Sequence, residues 1–574
     1  MGATIQGNAF ARLWKLIAQD RKDIGFIYVY ALLNGIITLA LPLGIQAIVA
    51  LIAGGQISSS WALLTFVVVM GAAFSGILKI MQFNITEAIQ QKIFARVSFE
   101  FALRIPRLKS EDILNEHPPE LVNRFFDVAS VQKALPKVLT DFSTAALEIL
   151  FGLILLSLYH PSFIIFSLTF VVLIAIIFQI TFRRGLNTSL EESNYKYKTA
   201  HWLEELARTM NSFKLAGRSS LPVSKVDELV NGYLKARKSH YKVLLFQFSS
   251  IIGFKVIITG GLLILGSVLV INNQINLGQF VASEIIIILI IASAEKLVTG
   301  MEVLYDLLTS LEKIGFFTDL SIEQEKGVEF KKILGDKGIE IEARELSYKF
   351  SNSSSPVIEK LSFHVHKGER ICISGYSGSG KTTLVRILNG LFENFTGLLN
   401  YNGLPRKNIN IFDLRTYIGD YSAVDDIFIG SLMDNITAGH KDIDIKEVVK
   451  VSNAVHLTDF IQTLPEGYDT ILQPKGARLP GSVVRKIILA RSIVTNPHLL
   501  IIEEFFSKLQ QSEKTSILNY LTDREKQWTL LMVSNDSEVA KKCDHVWIMS
   551  NGRIVDVGPF EKVSQHNCFH EIYH

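Results

Sequence analysis

The residues best equipped for chemistry lie in one short run, Gly375-Tyr376-Ser377-Gly378-Ser379-Gly380-Lys381-Thr382, with Thr383 next. The run fits G-x-x-x-x-G-K-[ST] without a mismatch. Glycines at these spacings let the backbone curl so that its N–H groups point inward, and a helix starting at the lysine adds partial positive charge. Such a loop cradles phosphates: Lys381 is placed to reach the β- and γ-phosphates of a nucleotide, and Thr382 to offer its hydroxyl to Mg²⁺. A glycine-rich turn with an incidental lysine would lack the right flanks. Here Ile371-Cys372-Ile373 reads as a buried strand and Leu384-Val385-Arg386-Ile387-Leu388 begins a helical pattern. A second run, His498-Leu499-Leu500-Ile501-Ile502-Glu503-Glu504, is an apolar strand ending in two carboxylates. The end of a parallel strand beside a phosphate loop is where a P-loop enzyme builds its metal site.

The elements that must position these groups form an α/β domain over 338–574, following a charged linker over 319–337. Alternating apolar strands and amphipathic helices around a phosphate loop imply a mostly parallel sheet. At 574 residues the chain is too long for one ordinary domain. Its 48% hydrophobic content and mean hydropathy of +0.29 are high for a soluble protein. The formal net charge of +3 gives no electrostatic support to nucleic-acid binding. The three cysteines, Cys372, Cys543 and Cys568, lack metal-ligand spacing and read as reduced and cytoplasmic.

The region 1–318 reads as an all-α membrane domain. Six apolar stretches, near 24–52, 61–82, 138–158, 162–182, 244–271 and 277–294, are each long enough to cross a bilayer, which takes roughly twenty helical residues. The connections Gly54–Ser60, Tyr159–Ser162 and Asn272–Asn276 carry no lysine or arginine, whereas the segments after the second and fourth stretches are long and rich in both. The positive-inside rule therefore puts the N-terminus, both long segments and the C-terminal half in the cytoplasm of a multi-pass plasma (inner) membrane protein surrounded by lipid. Residues 1–23 are polar and basic, with no cleavable signal peptide, so the first span is expected to act as the targeting element. Lys79, Glu148, Lys255 and Glu284 fall within or near spans, where a charge must be paired or face water. Phe83–Leu108 keeps helical periodicity among charges, so the second span is expected to continue below the membrane.

The order of these features resembles an ATP-binding cassette (ABC) exporter half-transporter, a six-span domain fused to a nucleotide-binding domain, over nearly the full length. Gly476-Ala477-Arg478-Leu479 through Ala490-Arg491 falls where that family carries its signature, and Asn496-Pro497 resembles its turn before the buried strand. Glu205 through Lys214 looks like its second coupling helix, and Glu120-Leu121-Val122-Asn123-Arg124 like the stretch after the first. These two segments look most like the type I secretion (haemolysin exporter-like) group, without an N-terminal peptidase domain.

What the resemblance implies for individual residues is uneven. Phe350 lies where the family stacks an aromatic on adenine, with Tyr348 as the alternative. Glu504 matches the carboxylate that polarises the attacking water; Glu503 replaces a magnesium-side aspartate and is one methylene longer. The lid glutamine aligns with Ala423, the switch histidine with Asn535, and a Ser-Ala-Leu-Asp turn with Ser507-Lys508-Leu509-Gln510. The signature Leu-Ser-Gly-Gly-Gln becomes Leu479-Pro480-Gly481-Ser482-Val483, losing a hydroxyl and an N–H at Pro480 and adding a side chain at Ser482. The implied protein binds ATP and Mg²⁺ and dimerises with a second half-transporter, identical or not. Its nucleotide-binding loop is intact, while several parts that serve hydrolysis are altered. That points to an exporter subunit with weakened turnover; an ATP-sensing membrane scaffold and a fully active peptide or protein exporter remain open, as does the cargo.

Overall fold

The computed structural model describes residues 2–53, 59–114, 118–422, 427–506, 509–565 and 572–573. Gly54–Ser58 of the first short connection, Ala423, Ser507, Lys508 and Cys568 lie outside the described residues. The chain divides into two compact units, residues 1–107 with 115–320 and residues 108–114 with 321–574.

The first unit is helical throughout: α1 (Gly2–Gln19), α2 (Arg21–Ala53), α3 (Ser59–Arg104), α4 (Pro118–Asn123), α5 (Asp127–Tyr159), α6 (Ser162–Arg208), α7 (Met210–Leu215), α8 (Leu221–Ile271) and α9 (Leu277–Thr318). Among the described residues, six helices are long and apolar enough to span a membrane, and they contain the six expected stretches. At 1.5 Å per residue, the 46 residues of α3 and 51 of α8 reach roughly 70 Å, far beyond the ~30 Å hydrocarbon core. Both helices therefore continue outside the bilayer, as the charged periodicity after the second stretch requires.

Inside the bundle, Leu156, Phe163, Phe170, Leu262 and Ile286 form an apolar core. Some of the polar groups within it are paired across helices. Gln247 on α8 donates to the Thr181 hydroxyl of α6 at 2.8 Å and to the Tyr305 hydroxyl of α9 at 2.9 Å. Of the four charges singled out, Glu148 accepts from Ser293 at 2.6 Å and Lys255 lies 3.8 Å from Glu295. Both are contacts with α9, which makes them interhelical ties, and Lys79 is exposed. The Glu284 Oε2 atom is buried without a hydrogen-bond partner among the described residues.

The second unit contains twelve strands among its described residues. β1 (Ile341–Tyr348), β2 (Ile358–Val365), β4 (Thr396–Tyr401) and β5 (Leu404–Pro405) form an antiparallel sheet in the order β2-β1-β4-β5. β3 (Arg370–Gly375), β6 (Ile418–Tyr421), β9 (Leu499–Glu503), β10 (Thr529–Val533), β11 (His545–Ser550) and β12 (Arg553–Gly558) form the central sheet, in the order β12-β11-β3-β10-β9-β6. β7 (Gly430–Ser431) and β8 (Ile471–Leu472) pair separately. The central sheet is parallel except at β12. β3, β9 and β10 are buried along their whole length, in keeping with the apolar runs at their centres. Glu323, 5% exposed, accepts two hydrogen bonds from Arg415 at 2.5 and 2.7 Å. Phe330 is wholly buried.

Candidate functional site

Strand β3 delivers the chain into the phosphate loop, and α10 (Lys381–Leu388) carries it away. Two glycines are required by geometry. A Cβ on Gly375 would sit 2.2 Å from the Met549 carbonyl oxygen, and Gly380 has φ +100°, a left-handed conformation that disfavours side chains. Gly380 precedes the first residue of α10, so the curled loop ends on a helix N-terminus as the sequence pattern demands.

The side chains converge. Lys381 Nζ donates to the carbonyls of Gly375 at 2.7 Å and Tyr376 at 2.8 Å, folding the ammonium over its own loop. Burial pushes the Lys381 pKa below the usual lysine value, against the nearby Glu504 and Glu503 carboxylates. The Thr382 hydroxyl donates to Glu503 Oε1, so these two residues present oxygens side by side. Ser379 Oγ is buried and has no hydrogen-bond partner among the described residues. An orphaned buried hydroxyl in a loop that ends on a helix N-terminus suits an anionic oxygen.

Around the loop, Glu504 has φ +51°, an uncommon conformation for a residue with a side chain, and its N–H donates to the Val533 carbonyl at 3.0 Å. Asn535, just beyond β10, bonds both the N–H and the carbonyl of Gly375 at 3.1 Å. One β-strand pair therefore brings Glu503, Glu504 and Asn535 to the loop from positions more than a hundred residues away.

The two candidate aromatics separate clearly. Tyr348 is 4% exposed, with its ring stacked on Phe392 at 5.1 Å and 10°. Phe350 is only partly buried, edge-on to both Tyr348 and Phe392. Phe350 keeps an accessible ring; Tyr348 would first have to leave the core.

Leu479–Val483 start the helix Gly481–Ile493. Pro480 is its N-cap and makes no side-chain cap bond, while its carbonyl accepts from Val483 at 2.9 Å and Val484 at 3.1 Å. The helix thus starts without the hydroxyl that usually caps such an end. Gly481 is exposed and Ser482 partly so, but Val483 is 8% exposed and points into the core of the domain, with Leu479 packed against the same core.

Two acidic residues near the site carry no local sequence signal. Asp420 on β6 has its pKa raised to about 6, chiefly by burial, with Glu503 adding to the rise and an Asn389 hydrogen bond opposing it. Glu111, in the 108–114 segment, accepts from the N–H groups of Glu393 at 3.2 Å and Asn394 at 3.1 Å.

Comparison with known proteins agrees with this architecture. Residues 24–293 match the family model described as the ABC transporter transmembrane region, and residues 358–507 match that of the ABC transporter. The chain belongs to the ABC transporter family: an ATP-binding, multi-pass membrane protein with its nucleotide-binding domain in the cytoplasm. It is similar to the alpha-hemolysin translocation ATP-binding protein HlyB of Escherichia coli O157:H7, 26% identical over 63% of this chain and 51% of that one. The pediocin PA-1 transport/processing ATP-binding protein PedD of Pediococcus acidilactici is 23% identical over 97% of this chain and 77% of its own. A solved structure of a bacterial Atm1-family ABC exporter with ATP bound superimposes with a TM-score of 0.83, covering 96% of this chain and 97% of that one at 18% identity. The chain spans about half the length of HlyB and of several other curated relatives it matches.

Proposed function

We propose that the chain is a subunit of an ATP-dependent exporter, in which nucleotide held between two nucleotide-binding domains switches the membrane helices between inward- and outward-facing states. The observation that carries this reading is the complete phosphate loop, with Lys381, Thr382 and Glu503 assembled on it, in a chain whose other unit has six bilayer-length helices. In this reading Gly375–Thr383 hold the phosphates and Phe350 stacks on the adenine. Thr382 and Glu503 offer the hard oxygens that Mg²⁺ takes, and the ion would neutralise phosphate charge. Glu504 orients and polarises the attacking water. Leu479–Val483 close over the nucleotide of the other subunit through the helix N-terminus, Gly481 and Ser482 supplying the exposed surface.

Turnover is weak in this reading. Phosphoryl transfer is catalysed by positioning and charge stabilisation, and three contributors are impaired. Pro480 supplies no hydroxyl, Ser482 obstructs close approach, and Asn535 cannot accept a proton as histidine does. The subunit works as a homodimer driven mainly by ATP binding, or beside a partner with complete motifs. The names of HlyB and PedD favour a protein or peptide cargo.

Steady-state ATPase measurement on the purified full chain, with Lys381→Ala and Glu504→Gln as controls, tests the reading. Expected are saturable ATP binding and slow turnover that both substitutions abolish. Fast turnover by the chain alone would refute the weakened-hydrolysis part. ATP-driven peptide accumulation in inside-out vesicles is expected; ATP binding with no transport of any peptide tested would favour a sensing scaffold.

A further inference from the structure

The antiparallel sheet carries a cluster that nucleotide chemistry does not use. Register pairs Glu342 of β1 with His364 of β2. Side chains alternate along a strand, so Glu340 and Glu342 share one face with His364 and His366, and Glu340 falls opposite His366 just past the paired residues. The donor atoms of Glu340, His364 and His366 all lie within 4.8 Å of one another. His364 Nε2 is 2.7 Å from Glu340 Oε1, and the two imidazole rings are 4.3 Å apart between centroids. Their backbones are held in place: the Glu340 N–H donates to Asn402 Oδ1 at 2.9 Å and the His366 N–H to Glu369 Oε2 at 2.7 Å. Both histidines are exposed and Glu340 partly so, leaving the face open to solvent.

We propose that Glu340, His364 and His366 form a surface site for a late first-row divalent cation, Zn²⁺ foremost. Two imidazoles and one carboxylate are a donor set that zinc accepts, with water completing a tetrahedron. Zinc ligands at about 2.0–2.1 Å lie roughly 3.4 Å apart, so donors already within 4.8 Å of one another need only a small further approach. The ion would take the place of the His364–Glu340 contact. It would also tie β1 to β2, the strands flanking the Tyr348–Phe350 aromatic pair.

The test uses tag-free full-length protein in detergent, titrated with Zn²⁺ against a chelating dye and, separately, with Co²⁺ followed by visible absorption. Expected are one high-affinity Zn²⁺ per chain, a tetrahedral Co²⁺ spectrum, and more than ~10-fold weaker binding in His364→Asn/His366→Asn. The exposed His440→Asn should bind as the parent does. Unchanged affinity in the double variant, or no Zn²⁺ bound by the parent at micromolar concentration, would overturn the assignment. Because these side chains are exposed, unchanged circular dichroism is expected to show that the variants fold.

Discussion

Asn535 and Gly375 exchange two hydrogen bonds: the Gly375 N–H donates to Asn535 Oδ1 and Asn535 Nδ2 donates to the Gly375 carbonyl, each at 3.1 Å. The same carbonyl accepts from Lys381 Nζ at 2.7 Å. Asn535 therefore braces the first residue of the phosphate loop. Its amide needs both a donor and an acceptor to do so, which a carboxylate or methyl group cannot provide.

Asn535→Ala removes both bonds: the Gly375 carbonyl keeps its bond from Lys381 Nζ, while the Gly375 N–H loses its Asn535 acceptor. Losses of this kind amount to about 1–3 kcal/mol, or roughly 5- to 160-fold weaker Mg-ATP binding. Titration with a fluorescent ATP analogue checks it. Unchanged affinity would show that the clamp does not shape the loop.

Asp420 makes stability depend on pH. Its pKa, about 6 in the folded chain against 3.8 ordinarily, means the folded state holds a proton that the unfolded state has released between those values. Stability from this group is thus full below pH 3.8 and is lost as pH rises through 6. A shift of this size corresponds to about 3 kcal/mol. Asp420→Asn is expected to melt higher than the parent at pH 7.5, with the gap closing as pH falls from 6 towards 4. A gap independent of pH would contradict the assignment.

In the membrane unit, a Cβ on Gly185 would lie 2.2 Å from the Tyr305 ring, which is wholly buried. Gly185→Ala must displace that ring and its hydrogen bond from Gln247, at a cost of about 1–3 kcal/mol. Thermal unfolding in detergent should show a lower midpoint, while Mg-ATP affinity stays unchanged.

How much of this was legible in the sequence depended on the range of the interactions. The phosphate loop, the six apolar stretches and the run ending in Glu503-Glu504 are local patterns; a strand–loop–helix, six long apolar helices and β9 (Leu499–Glu503) lie over them. Residues 2–19 looked merely polar and basic, yet they form a helix. Arg12 pairs with Glu312 at 2.5 Å and with Asp319, partners some three hundred residues away. Tyr348 and Phe350 share a strand periodicity, and only the Phe392 ring, far along the chain, distinguishes them. Val483 reads as part of a signature by position, but the turn of the helix at Gly481 sends it into the core. Asp420, Glu111 and the Glu340–His366 cluster gain their character from strand register and burial, which no local motif announces.

The most direct measurement is equilibrium Mg-ATP binding to the purified full chain, by photolabelling and thermal shift, with Lys381→Ala alongside. Saturable labelling and a raised melting temperature are predicted for the parent, and loss of both for Lys381→Ala. A folded parent indifferent to Mg-ATP, or a variant that binds as well as the parent, would contradict a nucleotide grip at Gly375–Thr383.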